Sequence, residues 1–103
     1  MAISLTLETP KRQALATTLL QVTIPRNARY LRIRCDHDCY LATTGTDGGA
    51  IGSDYETYDA DTTYFRKIPG SKGASRGAAA IDVFIAASSG TPDVELTALY
   101  EGA

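Results

Sequence analysis

The chain has no tryptophan, one histidine, one methionine, two phenylalanines and two cysteines among its 103 residues, and each shortage removes a class of chemistry. Nucleophilic catalysis needs a base beside its nucleophile, most often histidine. The only histidine, His37, sits between Asp36 and Asp38, and no Gly-x-Ser-x-Gly elbow occurs. With no base–nucleophile constellation, catalytic residues are not expected and the chain reads as a non-enzyme. Zinc takes four nitrogen or sulfur ligands, usually as two paired half-sites. Cys35-Asp36-His37-Asp38-Cys39 offers one half-site and nothing elsewhere completes it, so neither a metal nor another cofactor is expected. No apolar run approaches the roughly 20 residues of a spanning helix. The opening Met1-Ala2-Ile3-Ser4 lacks the basic and apolar regions of a secretory signal, which points to a protein made and used without export.

What the chain does have is alternation. Apolar residues make up 44%, an ordinary globular share, and they recur with a period of two in short blocks bounded by Pro, Gly and Asp. Thr18 to Ile24 and Tyr30 to Cys35 are the clearest blocks. A period of two buries one face of a strand and wets the other. The pattern predicts an all-β fold: a single antiparallel β-sandwich, jelly-roll or Ig-like, of about seven or eight short strands. A chain of this length makes one domain, residues 1–103, and buries roughly two-thirds of its unfolded surface without needing staples.

The blocks order themselves along the chain. Ile3, Leu5 and Leu7 start a first strand, and residues 1–17 form an N-terminal strand and arm that runs as a loop into the strand at 18–24. A strand at about 29–35 should bury Leu31, Ile33 and Cys35 and expose Tyr30, Arg32 and Arg34. Asp36-His37-Asp38 then reads as a three-residue hairpin loop returning into Cys39 to Thr43. Gly45-Thr46-Asp47-Gly48-Gly49 is a turn, because Asp-Gly and Gly-Gly accept positive φ cheaply. The acidic segment 53–61 is irregular or a weak edge strand, and Thr63 to Ile68 resumes the strand pattern. Residues 69–80, rich in Gly, Ala and Ser, read as a flexible basic loop ahead of strands at 81–86 and 94–100.

The remaining clusters favour structure over chemistry. A Cys35–Cys39 disulfide is geometrically feasible but closes too short a loop to gain much, so two reduced thiols packed at a strand end are expected. Asp54, Glu56, Asp59 and Asp61 could serve as paired carboxylates or calcium ligands, yet they lack fixed loop spacing and lie in a wet acidic stretch. The glycines at 45–52 have no helix after them to complete a phosphate cradle. Lys72 and Arg76 could touch nucleic acid, but no aromatics are interleaved there and the net charge is −2, which disfavours that partner.

Charge is nonetheless arranged in blocks. Lys11, Arg12, Arg26, Arg29, Arg32 and Arg34 meet only Glu8, seven acids then run from Asp36 to Asp61 without a lysine or arginine, and Arg66, Lys67, Lys72 and Arg76 follow without an acid. Such blocks suit pairing with copies of the chain or with a complementary partner. Tyr30, Arg32 and Arg34 share one strand face, and Arg and Tyr are the residues most enriched at interface hot spots. Phe84, Leu19 and Leu99 fall on nominally polar faces, where either a second packed layer or another subunit must cover them. The candidate partner interface is therefore Arg26, Arg29, Tyr30, Arg32, Arg34, Lys72, Arg76 and Phe84.

The stretch Ile24-Pro25-Arg26-Asn27-Ala28-Arg29-Tyr30-Leu31-Arg32-Ile33-Arg34, followed by Cys39-Tyr40-Leu41-Ala42-Thr43, resembles a recurrent β-sandwich of tailed-bacteriophage virions. In that pattern an Ile-Pro-x-x-Ala turn leads into an alternating strand, a short hairpin with an aromatic return strand, and a Gly/Ala-rich loop. Ile85 to Thr91 and Val94 to Tyr100 complete a likeness covering roughly residues 18–102. The resemblance implies a capsid decoration or head–tail accessory protein, located in the virion after assembly in the host cytoplasm. It also implies other virion proteins and further copies of the chain as partners, no membrane, and no catalytic residues. The two cysteines and the acidic segment depart from the pattern. A carbohydrate-binding module, with Tyr55, Tyr58 and Tyr64 beside Asp54, Glu56 and Asp59, is the alternative that fold analogy allows.

Overall fold

Alternating blocks become strands that pack face to face in a computed structural model describing residues 2–5, 9–25, 28–68 and 81–99. Among these residues nine strands form: β1 (Ile3–Ser4), β2 (Lys11–Ala14), β3 (Leu20–Ile24), β4 (Tyr30–Cys35), β5 (Cys39–Ala42), β6 (Glu56–Tyr58), β7 (Tyr64–Lys67), β8 (Ile81–Ala87) and β9 (Asp93–Leu99). They make a five-stranded sheet A in the order β1-β3-β8-β5-β6 and a four-stranded sheet B in the order β2-β9-β4-β7. The all-β sandwich follows from the alternation, since each strand has one apolar face to bury.

The strand order also settles which sandwich it is. β2 pairs antiparallel with β9, β3 with β8, β4 with β7 and β5 with β6. The chain is thus a long two-stranded ribbon whose tip is the β5–β6 turn. The ribbon wraps so that β9 also pairs β4 and β8 also pairs β5. Two four-stranded sheets wound from one ribbon are the jelly-roll arrangement. β1 is added outside it, and it pairs parallel with β3 (Ile3 opposite Val22), so the sandwich is not wholly antiparallel.

Two local expectations are corrected. Residues 35–39 are not a hairpin: Cys35 ends a strand of sheet B opposite Val94, while Cys39 begins one of sheet A opposite Ala87. Asp36-His37-Asp38 is a corner between sheets, tied down where the Asp36 amide donates to the Asp93 carbonyl (3.1 Å) and Asp38 accepts from the Ser88 amide (3.0 Å). A corner wins because both flanking strands then keep their apolar faces in one core. Residues 11–14, expected to be loop, form β2 at the edge of sheet B, recruited by the free edge of β9. The weak edge strand in the acidic segment is β6. The loop at 69–80 lies outside the described residues.

The core draws on both sheets. Val22, Ile24 and Ile85 from sheet A meet Leu31, Ile33, Val94 and Leu96 from sheet B, all essentially without solvent exposure. Each such side chain contributes about 1.5–3 kcal/mol on burial. A second, smaller apolar cluster lies on the outer face of sheet A and comprises Leu19, Ala42, Phe84 and Ala86, with Ile51 packed against it.

That second cluster exists because the ribbon's tip folds back. The Gly48 amide donates to the Leu19 carbonyl (2.7 Å), the Leu19 amide donates to the Gly49 carbonyl (2.8 Å), and Thr18 bridges Ala50. Gly48 takes the positive φ (79°) that this turn requires. Asp47 Oδ1 accepts the Gln21 amide at 2.9 Å, a bond that holds its carboxyl below the usual range. Gly45 approaches so closely that a Cβ there would stand 2.6 Å from Leu19 Cδ1. The tip therefore lies over Phe84, which is 7% exposed.

Candidate functional site

The candidate interface residues fall into three groups. Arg26, Lys72 and Arg76 lie outside the described residues. Phe84, expected on a partner surface, is buried instead beneath the chain's own tip. Arg29, Tyr30, Arg32 and Arg34 remain, and β4 carries the last three to the outer face of sheet B with half-exposed side chains.

Register fixes the neighbours on that face. Leu99, Tyr30 and Lys67 form one row across β9, β4 and β7, and Thr97, Arg32 and Phe65 form the next. Arg34 stands beside Glu95, and Glu95 beside Arg12. Arg12 pairs with Glu95 and, at 3.3 Å, with Asp93, while Arg34 Nη2 lies 3.6 Å from Asp61 Oδ1. These pairs are solvent-screened and contribute about 0–1 kcal/mol each. Arg32 and Lys67 make no ion pair among the described residues. Arg29 continues β4 backward, its amide donating to Leu99 and its carbonyl accepting from Ile68.

Sequence reading missed Phe65, which is 63% exposed. In Tyr64-Phe65-Arg66-Lys67 either alternate pair could face inward by period alone. Pairing of Tyr64 with Ile33 turns Tyr64 and Arg66 inward and leaves Phe65 outside. Thr97, in the middle of the same outer face, is 4% exposed and its hydroxyl has no hydrogen-bond partner among the described residues. A buried unmet hydroxyl is destabilising, so Thr97→Val, which keeps shape and strand propensity, should raise unfolding free energy by about 1 kcal/mol in urea melts. A loss of similar size would mean the hydroxyl is satisfied.

At the other side of the sandwich, β6 and β7 bring the two sheet edges together. Tyr58 and Tyr64 meet edge to face, with centroids 4.7 Å apart and planes at 62°. Tyr58 donates to Glu56 Oε1 at 2.5 Å, and the Asp59 amide donates to the Tyr64 hydroxyl at 3.1 Å. Burial, and then the Glu56 carboxylate, push the Tyr58 phenol well above its usual range. Arg66 Nε lies 2.9 Å from Glu56 Oε1 as a charge contact without hydrogen-bond alignment, and Arg66 Nη1 donates to the Lys67 carbonyl at 2.8 Å. Of the three tyrosines considered for sugar binding, Tyr58 is in the core and Tyr64 packs against it. Tyr55 alone stays exposed, its ring 4.5 Å from that of Tyr40.

Beside this seam an open cleft of about 440 Å³ is lined by Leu41, Ala42, Thr43, Ser53, Asp54, Tyr55, Glu56 and Arg66. Among the described residues, no three His, Cys, Asp or Glu side chains converge as metal ligands. Cys35 and Cys39 are free and buried, and burial, with Cys35 adding to it, pushes the Cys39 thiol up to about 12. No helix among the described residues is long and apolar enough to cross a membrane. Comparison with protein-family profiles, with curated proteins and with solved structures found no match.

Proposed function

We propose that this chain is a non-enzymatic structural protein of a bacteriophage virion, of the capsid-decorating or head–tail accessory kind, that acts by packing in many copies. The observation that carries the reading is Phe65, which stands 63% exposed on an edge strand. Beside it across the register stands Arg32, with Tyr30 and Lys67 in the next row. A phenylalanine left in water forgoes about 1.5–3 kcal/mol that burial would return. Aromatic rings with arginines around them are what interface hot spots are made of.

Charge selects the partner. Arg32 and Lys67 have no ion-pair partner among the described residues, so an acidic protein surface complements the face. The exposed acids at 54–61 of another copy supply one such surface, which favours contacts between copies as well as with a shell. Repeated weak contacts on a symmetric particle give avidity without a large interface per copy. Jelly rolls recur in viral capsid proteins and in lectins, a parallel of fold that leaves the function to the site.

Mass spectrometry of purified particles of the encoding phage should find the chain at many copies per particle. Particles depleted of it should rebind the wild-type protein. Arg32→Glu and Phe65→Ala should each weaken rebinding by about tenfold or more while leaving the melting temperature unchanged. Absence of the chain from particles, or rebinding indifferent to both changes, would overturn the reading.

A further inference from the structure

The cleft beside β6 is built without Tyr30, Arg32, Phe65 and Lys67 of the packing face, and it shares only Asp54 and Glu56 with the acidic surface offered to another copy. Its volume, about 440 Å³, falls in the range of small-ligand sites. Leu41 and Ala42 give it an apolar part, and Tyr55 gives it an exposed aromatic wall. Thr43 and Ser53 contribute hydroxyls, Asp54 and Glu56 carboxylates, and Arg66 a guanidinium. We propose that this cleft is a carbohydrate subsite that takes one neutral hexose ring, with Tyr55 as the platform and Asp54, Glu56 and Arg66 as the hydroxyl-binding groups.

Three features favour that ligand over others. The first is the combination of one aromatic ring with several hydrogen-bonding side chains, which matches a pyranose: its C–H face is apolar and its rim carries hydroxyls. A carboxylate accepts from two neighbouring hydroxyls at once, and a guanidinium donates to their oxygens.

The second is charge. Two carboxylates against one guanidinium leave the cleft net negative, so phosphate, sulfate and acidic sugars are repelled and a neutral polyol is not. Asp54 and Glu56 do not form a metal-binding group with a third ligand among the described residues, which separates this cleft from a calcium-bridged sugar site.

The third is preorganisation. Glu56 is held by the Tyr58 hydroxyl at 2.5 Å and by Arg66 at 2.9 Å, and Arg66 is itself tied to the Lys67 carbonyl. Tyr55 is braced by Tyr40, 4.5 Å away at a tilt of 47°. Groups already fixed in place lose little freedom on binding. With only one ring's worth of contacts, affinity should fall in the millimolar range.

The test is a titration of the isotope-labelled full chain, followed by amide NMR, with neutral hexoses, their methyl glycosides, short neutral oligosaccharides, an acidic sugar and inorganic phosphate. At least one neutral sugar should give saturable shifts at Thr43, Ser53 and Tyr55, and phosphate and the acidic sugar should not. Tyr55→Ala should weaken that binding about tenfold or more, and Glu56→Gln should weaken it with the fold retained. Phe65→Ala, on the other sheet, should leave it unchanged, which separates this site from the packing face. Binding of methyl glycosides marks the terminal residue of a glycan as the source, and binding lost on methylation marks the free sugar. If no neutral sugar shifts the cleft at tens of millimolar, if phosphate competes, or if the shifts survive Tyr55→Ala in a folded variant, the assignment is wrong.

Discussion

Phe84→Ala is expected to lower the unfolding free energy by about 3–5 kcal/mol, the range for truncating a buried aromatic. The ring sits at the centre of the outer cluster on sheet A, with Leu19, Ala42, Ala86 and Ile51 around it. Its loss would also leave Gly45 and the folded-back tip without a floor, since Phe84 Cγ is only 3.4 Å from where a Gly45 side chain would start. A small domain has about 5–15 kcal/mol in total, so the variant should melt some 15 °C or more below the parent. The contrast is Phe65→Ala, which should change stability by less than about 0.5 kcal/mol because that ring is already in water. Paired urea and thermal melts of the two variants check this. Equal, small effects would mean that the tip does not cover sheet A in solution.

Alkaline pH should unfold the protein earlier than a domain of this size would otherwise unfold. The folded pKa of Cys39 is raised from 9.0 to about 12, chiefly by burial. The stabilising form is the neutral thiol. Its contribution is whole below 9.0, where the unfolded thiol is also protonated, and it is lost as pH climbs toward about 12. Each pH unit in that window costs at most roughly 1.4 kcal/mol for one group, less to the extent that solvent screens it. Tyr58 adds a loss of the same sign above its ordinary value of 10.0, discounted because its hydroxyl reaches the screened edge of the sandwich. Urea midpoints should therefore hold up to about pH 9 and fall steeply above it. Cys39→Ala should flatten the first part of that fall even if it lowers stability overall. A midpoint as high at about pH 11 as at about pH 8, in the parent, would contradict the burial of both groups.

The Cys-Asp-His-Asp-Cys run shows why local shape was not legible in the sequence. One histidine and two cysteines are at most three of the four nitrogen or sulfur ligands that a structural zinc site takes. Whether residues 35–39 turn a strand back within one sheet or carry it across to the other depends on which distant strands have open edges. Val94 and Ala87 decided that, and they lie more than forty residues away in sequence.

Phe84 and Phe65 make the point from opposite sides. Both stand in alternating strands, and alternation alone leaves open which face is covered. Phe84 was a candidate for a partner surface because it sat on the nominally polar face. The cover came from residues 45–51 of the same chain, brought there by hydrogen bonds to Leu19 and Gln21. Phe65 had no side assigned by alternation, and pairing with Arg32 placed it outside. The cleft is hidden for the same reason, since Thr43, Ser53 and Arg66 come together only when the two sheet edges meet.

The sequence by itself determined an all-β sandwich and the inward residues of its central strands, because period and composition are local properties. Tertiary structure alone decided the jelly-roll winding, the sheet to which each described strand belongs, the roofing of sheet A by the tip, and the pairing of Glu56 with Arg66. Those depend on edges and faces meeting across long stretches of chain, where many pairings satisfy the same alternation and only simultaneous burial of all of them selects one.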